Sequence, residues 1–213
     1  MLRLALFYLC LSAAALAQVG IGGGLKGGFV SPGWYTNQAG PTVVTDNSSG
    51  FTGGPYAEIR LGPLALGAEA LYRRIGLEGV GSDAGVTWES RQSGSMWRVP
   101  VLAKLRLPRV RLFNPFVAAG PSFMRLTADV TGYSERYITG PGGQPVLERT
   151  STSSSHSSSE TGFTIGGGIE RRLMLLRITF EGRYTRWRGE GSTNLVYGRR
   201  EPNQVEFLFG VGI

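Results

Sequence analysis

The chain has 213 residues, 33 of which are glycine, and it carries a formal net charge of +7. Glycine is about twice as frequent as the roughly 7% of an average protein. No long window has the capped periodic pattern of a helix, so composition favours an all-β protein. The lysines and arginines mostly occupy every second position within predicted strands, interleaved with glutamates. This arrangement lacks the basic stripe of a nucleic-acid-binding protein, and we expect no nucleic-acid partner.

Residues 1–17 have the pattern of an export signal. Arg3 gives a positive start, an apolar core follows, and Ala15-Leu16-Ala17 forms a small-x-small cleavage site. The apolar run is shorter than the ~20 residues that a membrane-spanning helix needs. We therefore predict cleavage after Ala17 and one mature domain over residues 18–213.

The single cysteine, Cys10, lies inside this signal. Leu9 precedes it, where a lipoprotein signal would have a small residue, so we do not expect lipidation. The mature chain then has no cysteine and has to be stable without a disulfide. It also has no run of apolar residues long enough for a helical span, so any membrane-spanning element has to be a strand.

The mature chain begins with a glycine-rich strand, predicted over residues 19–30. Its apolar side chains share one parity and Lys26 has the other, which is the period-two pattern of a strand with one apolar and one polar face. A turn-rich loop over residues 31–50 follows. The second strand is predicted over residues 51–61.

The third strand, predicted over residues 64–75, follows the second after only Gly62-Pro63. A long polar loop over residues 76–94 leads to the fourth strand, over residues 95–107. Pro100 lies within this strand and cannot donate to a ladder of hydrogen bonds. We therefore predict a bulge or bend at that residue.

The fifth strand is predicted over residues 112–128, after a short connection at residues 108–111. Pro115 and Pro121 obscure its alternation, so the sequence leaves its register open. A third long loop is predicted over residues 130–160. Its serine- and threonine-rich middle is predicted to be disordered, because it offers almost no apolar surface to bury.

The last three strands are predicted over residues 161–169, 173–188 and 204–213. A short turn at Arg171-Arg172 joins the first two, and a long loop over residues 189–203 leads to the last. Alternation of apolar and charged residues is clearest in the strand predicted over residues 173–188. Its central charged residues share one parity, and a helix would scatter them over several faces.

The connections between the eight strands alternate long, short, long, short, long, short, long. An antiparallel up-and-down barrel with both termini at one end has this alternation, whereas a β-sandwich does not obviously segregate its loop lengths. The prediction is therefore all-β: an eight-stranded antiparallel up-and-down transmembrane β-barrel, with short turns at the end of the termini and long loops at the other end.

In that topology, one aromatic residue of almost every strand falls at the long-loop end. Aromatic side chains at one level form a belt at a membrane–water interface, and the core aromatics of a soluble barrel would not all have to lie at one end. The predicted belt consists of Phe29, Phe51, Tyr72, Trp97, Phe123, Phe163 and Tyr184.

Alternation alone does not distinguish a membrane barrel, which is apolar outside, from a soluble lipocalin-like barrel, which is apolar inside. The polar parity mixes charges of both signs with glycine. This suits a narrow interior in which each buried ion needs a partner, so the membrane barrel is favoured. The predicted interior charges are Lys26, Glu58, Arg60, Glu69, Arg73, Arg98, Lys104, Arg106, Glu170, Arg177, Glu181, Arg183 and Glu206.

Several stretches resemble the small outer-membrane β-barrel proteins of Gram-negative-type bacteria. They are the signal segment, the first strand (GIGGGLKGGF), residues 97–102, residues 114–121 and the closing strand (VEFLFGVGI). The resemblance covers essentially the whole mature chain. It implies a bacterial outer-membrane location, short periplasmic turns and long extracellular loops. It also implies contact with outer-membrane lipid or lipopolysaccharide, and insertion by the barrel-assembly machinery, although Ile213 stands where members often end in an aromatic residue.

The sequence offers no residues arranged for catalysis. Some barrels of this kind are enzymes, and those similar to lipid A deacylases use His, Ser and an acidic residue. The only histidine, His156, lies in the serine tract without a fixed partner, which a general base needs. With one histidine, no mature cysteine and no acidic cluster, we expect no metal and no cofactor.

Two functions from different classes remain open. The first is a structural or interaction scaffold that displays four extracellular loops to an unknown partner, and the second is a narrow gated pore. A lipid A-modifying enzyme and a soluble lipocalin-like ligand binder are less favoured. A narrow interior filled with arginine and glutamate leaves little room for solute, which favours the scaffold.

Overall fold

The computed structural model describes residues 19–31, 35–37, 42–83, 86–139, 141–188, 198–200 and 202–213, so the predicted signal segment lies outside the described residues. The strands in this part of the chain are β1 (Val19–Val30), β2 (Tyr35–Asn37), β3 (Thr42–Asp46), β4 (Phe51–Leu61), β5 (Leu64–Glu69), β6 (Leu71–Asp83), β7 (Val86–Arg106), β8 (Asn114–Thr139), β9 (Pro145–Leu173), β10 (Leu176–Trp187), β11 (Gly198–Arg200) and β12 (Asn203–Gly212). Within these ranges, no helix is long and apolar enough to cross a membrane.

Eight strands close into a ring if β5 and β6 are counted as one interrupted strand. The order around the ring is β1, β12, β10, β9, β8, β7, β5/β6 and β4, and β4 pairs with β1 again. Every pairing in the ring is antiparallel, and each strand lies beside its neighbours in sequence. The all-β, eight-stranded, up-and-down prediction is therefore confirmed.

The glycines of β1 allow the ring to close. β1 pairs with β4 on one side and β12 on the other, so that Phe29 lies opposite both Phe51 and Phe207. A Cβ atom on Gly28 would lie 1.9 Å from the carbonyl oxygen of Phe207, and one on Gly24 would lie 2.0 Å from that of Val211. A side chain at either position would force β1 and β12 apart.

Short connections lie at one end of the barrel. Gly62 turns between β4 and β5 with φ +61°, and Met174 turns between β9 and β10 with φ 54°. We predicted the latter turn at Arg171-Arg172, which is wrong. Those arginines remain in the β9 ladder because they pair with Ile178 and Arg177, and the chain reverses only after Leu173.

Two of the predicted long loops are extended hairpins. The predicted loop at residues 76–94 continues β6 and β7, and the loop at residues 130–160 continues β8 and β9. The prediction of disorder in the serine tract is also wrong, since Thr150–Ser159 pairs with Arg125–Ser134 of β8. The tract needs no alternation of apolar and polar residues, because backbone hydrogen bonds to β8 hold it and its two faces are largely exposed.

We call residues 76–94 and 130–160 the blade, since they extend the sheet beyond the barrel. β3 adds to its edge by pairing with residues Leu77–Gly81 of β6. Elsewhere, β2 pairs with β11 and so connects the first and last long loops.

The prolines do not disturb the register. Pro100 lies opposite Ser122 and Ala103 lies opposite Ala119, so the β7–β8 register is the same on both sides and the predicted bulge is absent there. The register of β8, which the sequence left open, places Pro115 opposite Ile169 and Pro121 opposite Phe163 of β9. Both prolines therefore have the outward parity of their strand.

Candidate functional site: barrel interior, belt and blade

The thirteen charged residues predicted for the interior all have inward parity, and their side chains are largely shielded. The most exposed of the ion-paired ones are Arg60, Arg177 and Arg106, whose side chains keep 16, 15 and 14% of their accessibility. Removing charge from water is costly unless each ion is paired, so the pairing decides whether this interior is stable.

One cluster surrounds Glu58 at the short-turn end. Its carboxylate accepts hydrogen bonds from Arg60 Nε at 2.6 Å, from Arg106 Nη2 and Arg177 Nη1 at 3.0 Å, and from Lys104 Nζ at 3.3 Å. Four cations from two other strands, β7 and β10, and from β4 itself therefore converge on one carboxylate. This joins opposite sides of the barrel across its interior.

A second glutamate completes that cluster. Glu170 accepts a hydrogen bond from Arg106 Nε at 2.6 Å and lies 3.7 Å from Arg177 Nη1. Arg60 Nη2 donates to the Ile213 carbonyl oxygen at 2.7 Å, so the end of the last strand is also tied to the cluster.

A compact quartet lies nearer the middle of the barrel. Lys26 Nζ lies 2.5 Å from Glu69 and 2.9 Å from Glu181. Arg183 donates to Glu69 at 2.6 and 2.7 Å and to Glu181 at 2.7 and 2.9 Å. Two cations and two carboxylates balance, and each ion contacts both ions of opposite sign.

Above the quartet, the contacts become less ionic. Arg98 pairs with Glu206, and Glu206 also accepts a hydrogen bond from Gln204 Nε2 at 2.8 Å. Trp187 Nε1 donates to Gln204 at 3.0 Å. The remaining predicted interior charge, Arg73, donates from Nε to the Ser49 carbonyl oxygen at 2.6 Å.

Sequence reasoning missed an apolar layer that lies across the interior near the predicted belt. The six buried side chains that form this layer are Val30, Ile75, Met96, Met124, Leu126 and Trp187. Met96 and Met124 directly neighbour the belt residues Trp97 and Phe123 in sequence but point the opposite way. The signal in the sequence was that Met96 and Met124 occupy polar-parity positions of the fourth and fifth predicted strands.

A hydroxyl chain was also missed. Ser122, Thr164 and Thr185 are buried and lie on three consecutive strands of the ring. Thr164 Oγ1 is 2.6 Å from Ser122 Oγ and 2.7 Å from Thr185 Oγ1. These hydroxyls fill inward positions with groups that satisfy each other.

The seven predicted belt residues all lie on the outer face, with 37 to 67% of their surface exposed. Phe29 and Phe51 contact edge to face, with ring centroids 5.9 Å apart, and the Tyr72 and Trp97 centroids are 5.2 Å apart. From the belt to the short turns, the outward positions of the described strands carry no charge until Arg171. The barrel thus has an apolar outer band and a polar interior, which is the pattern of a barrel in lipid.

The family model described as outer membrane protein beta-barrel domain matches residues 3–213. This covers nearly the whole sequence. The chain belongs to this family.

The protein is therefore an outer-membrane β-barrel protein of bacteria. Among curated proteins, none matches the sequence significantly.

The chain is similar to several solved structures. Neisserial surface protein A is 11% identical and has a TM-score of 0.51, with 92% of this chain and 98% of that chain covered. Ail of Yersinia pestis is 12% identical with a TM-score of 0.42 and 91 and 95% coverage. The N-terminal barrel domain of Pseudomonas aeruginosa OprF is 13% identical with a TM-score of 0.40 and 92 and 98% coverage.

The blade has two surface features of its own. A cavity of about 220 Å³ lies on it, with Trp88, Val130, Tyr133 and Thr152 among its lining residues. At the tip, four apolar side chains are exposed, and their cross-strand pairs are Tyr137 with Leu147 and Ile138 with Val146.

The candidate catalytic histidine lies on the blade as well. His156 is exposed in β9, opposite Ala128 of β8. Across the described residues, no group of three or more His, Cys, Asp or Glu could hold a metal ion.

Proposed function

We propose that the protein is a non-enzymatic interaction scaffold of the cell surface, in which the barrel anchors the blade and the blade tip binds a macromolecular partner. The observation that carries this proposal is the exposure of Tyr137, Leu147, Val146 and Ile138, which keep 72, 49, 46 and 37% of their surface. The pair Tyr137–Leu147 lies on one face of the tip and the pair Ile138–Val146 on the other, because successive side chains of a strand alternate. Paired apolar side chains that face water are typical of an interaction surface.

The position of the tip supports a partner outside the membrane. Thr139 follows the belt residue Phe123 along one continuous strand. At about 3.3 Å per residue, the tip lies roughly 50 Å along the strand from the belt. The four apolar side chains are therefore far from acyl chains, and lipid contact does not explain them.

The interior supports a scaffold over the alternative of a gated pore. Ion clusters fill the barrel from the Glu58 cluster to the quartet, and the apolar layer lies above them. An eight-stranded barrel has an interior just wide enough for side chains. We therefore assign the four extracellular connections, and the blade above all, to the function.

Cell adhesion tests this function. Cells of a non-adherent strain that display the protein should bind to serum-protein-coated glass more than cells with an empty vector. The double variant Tyr137→Ser/Leu147→Ser should reduce adhesion at least tenfold, because it removes one cross-strand apolar pair of the tip.

The matched control is Val80→Ser, which also replaces an exposed apolar residue of the blade but lies away from the tip. It should leave adhesion within about twofold of the wild type. Equal adhesion of the tip variant and the wild type, or no adhesion above the vector, would overturn the proposal.

A further inference from the structure

The outer face carries three arginines just above the belt. Arg74, Arg125 and Arg186 each follow a belt aromatic (Tyr72, Phe123 and Tyr184) by two positions, so they share its outward face one step toward the extracellular side. All three are exposed. We call these three arginines the collar.

The collar differs from the arginines of the blade. On the blade, Arg91 lies 3.0 Å from Glu78, and Arg136 lies 2.5 Å from Glu148. No collar arginine forms an ion pair with a carboxylate among the described residues. These two blade arginines therefore have a carboxylate partner in water, whereas the collar arginines have none among the described residues at the level where lipid headgroups lie.

An apolar groove lies on the membrane side of the collar. It has a volume of about 610 Å³ on the outer face of β1, β12 and β10, and Gly27, Phe180, Gly182, Phe207 and Phe209 are among its lining residues. The glycines leave its floor low and the phenylalanines form its walls. Its shape and apolar lining fit an acyl chain.

The groove and the collar meet on β10. Gly182, Tyr184 and Arg186 are successive outward residues of this strand, which places the groove floor, the belt and the collar in one line along the strand. Tyr184 Oη donates to Asn203 Oδ1 at 2.7 Å, which holds the phenol between the groove floor and Arg186. One molecule with an anionic head and an acyl tail can contact all three.

We propose that this face binds a phosphorylated, acylated glycolipid of the outer leaflet, with its phosphate on Arg186 and one acyl chain in the groove at Gly182. Guanidinium groups suit phosphate because they donate two parallel hydrogen bonds. Arg74 and Arg125 extend the same contact to neighbouring headgroups. This site does not depend on the interaction role of the blade.

Native mass spectrometry of the folded protein in detergent micelles tests the site, with lipid A as the probe. The wild type should retain one lipid A more tightly than dephosphorylated lipid A or phosphatidylglycerol. Arg186→Gln should weaken retention roughly fivefold, the factor expected for one arginine at an anionic lipid surface. Gly182→Leu should weaken it by a similar factor, because the new side chain would fill the groove.

Gly182→Leu is compatible with the fold, since the nearest atom to a Cβ at this position is Phe207 Cε1 at 3.7 Å. The matched controls are Arg91→Gln on the blade and Ala103→Leu on the outer face of β7, and both should bind as the wild type does. Each variant is first shown to be folded by its heat-dependent mobility in SDS electrophoresis, and Gly182→Ala replaces Gly182→Leu if that variant does not fold.

Three results would overturn the proposal. They are equal retention of phosphorylated and dephosphorylated lipid A, equal retention of phosphatidylglycerol, and wild-type retention by either Arg186→Gln or the groove variant. The last result would show that head and acyl chain do not share one site.

Discussion

At the scale of single residues, Glu58 has a larger share of the interior charge balance than the other glutamates. It contacts four cations, whereas Glu69 and Glu181 each contact two. Without this carboxylate, Arg106 and Arg177 would keep Glu170. Arg60 and Lys104 would lose their glutamate partner.

We therefore predict that Glu58→Gln lowers the free energy of unfolding by about 3 kcal/mol, the cost of leaving shielded cations without a counter-ion. Urea titration of the protein in lipid vesicles measures this. The matched control is Glu78→Gln, which breaks the pair with Arg91 on the blade, where the Glu78 side chain is 41% exposed. That pair should contribute less than about 1 kcal/mol, so equal losses in both variants would contradict the prediction.

The sequence predicts on which side of the barrel wall each charge lies, because parity alone decides it. It does not predict the partners. Glu69 and Arg183 meet across the ring although they are far apart in sequence, and which residues face each other depends on the stagger of all eight strands. The apolar layer was missed for a related reason. Met96 and Met124 can be recognised as one layer only when the strand register places them at the same level of the barrel.

At the scale of elements, the blade shows how strands persist without apolar alternation. The tract Thr150–Ser159 forms ladder pairs with β8 on one side only, and no described strand pairs with its other edge. In an antiparallel pair, each strand directs every second amide toward a given neighbour. The tract should therefore have two populations of amides.

We predict that hydrogen exchange of the folded protein protects about half of the amides in this tract, in alternation along the chain. The internal control is the lower part of β9, residues 162–170, which pairs with both β8 and β10 and should be protected at nearly every amide. NMR of the protein in micelles resolves both groups. Exchange of the whole tract at the rate of an unstructured peptide would contradict the ladder between the tract and β8.

The sequence could predict the barrel strands because lipid and a charged interior impose opposite demands on alternate residues. Beyond the belt, water surrounds both faces of the sheet, so apolar and polar residues no longer have to alternate. The residues that continue β6 to β9 therefore resemble loops in composition, and their pairing follows from the strands below them rather than from their own side chains. The turn at Met174 was misplaced because no glycine marks it in the sequence.

At the scale of the whole molecule, the interior has two barriers in series above the Glu58 cluster of the short-turn end. The quartet of Lys26, Glu69, Glu181 and Arg183 closes the middle of the barrel with paired ions, and the apolar layer closes it again near the belt. An ion on its way through would have to displace one barrier and lose its water at the other. Opening either barrier alone should leave the barrel closed.

Planar-bilayer recordings test this closure. The wild type should show no steady conductance, and neither should Met96→Ala/Met124→Ala or Lys26→Ala/Glu69→Ala, because each retains one barrier. The second pair removes one positive and one negative charge and leaves Arg183 paired with Glu181. Only the fourfold variant should conduct, and its conductance should be small because the Glu58 cluster still narrows the short-turn end. Its heat-dependent mobility in SDS electrophoresis first shows it to be folded. Steady conductance of the wild type would assign the protein a pore, and conductance of the methionine variant alone would show that the ion quartet is no barrier.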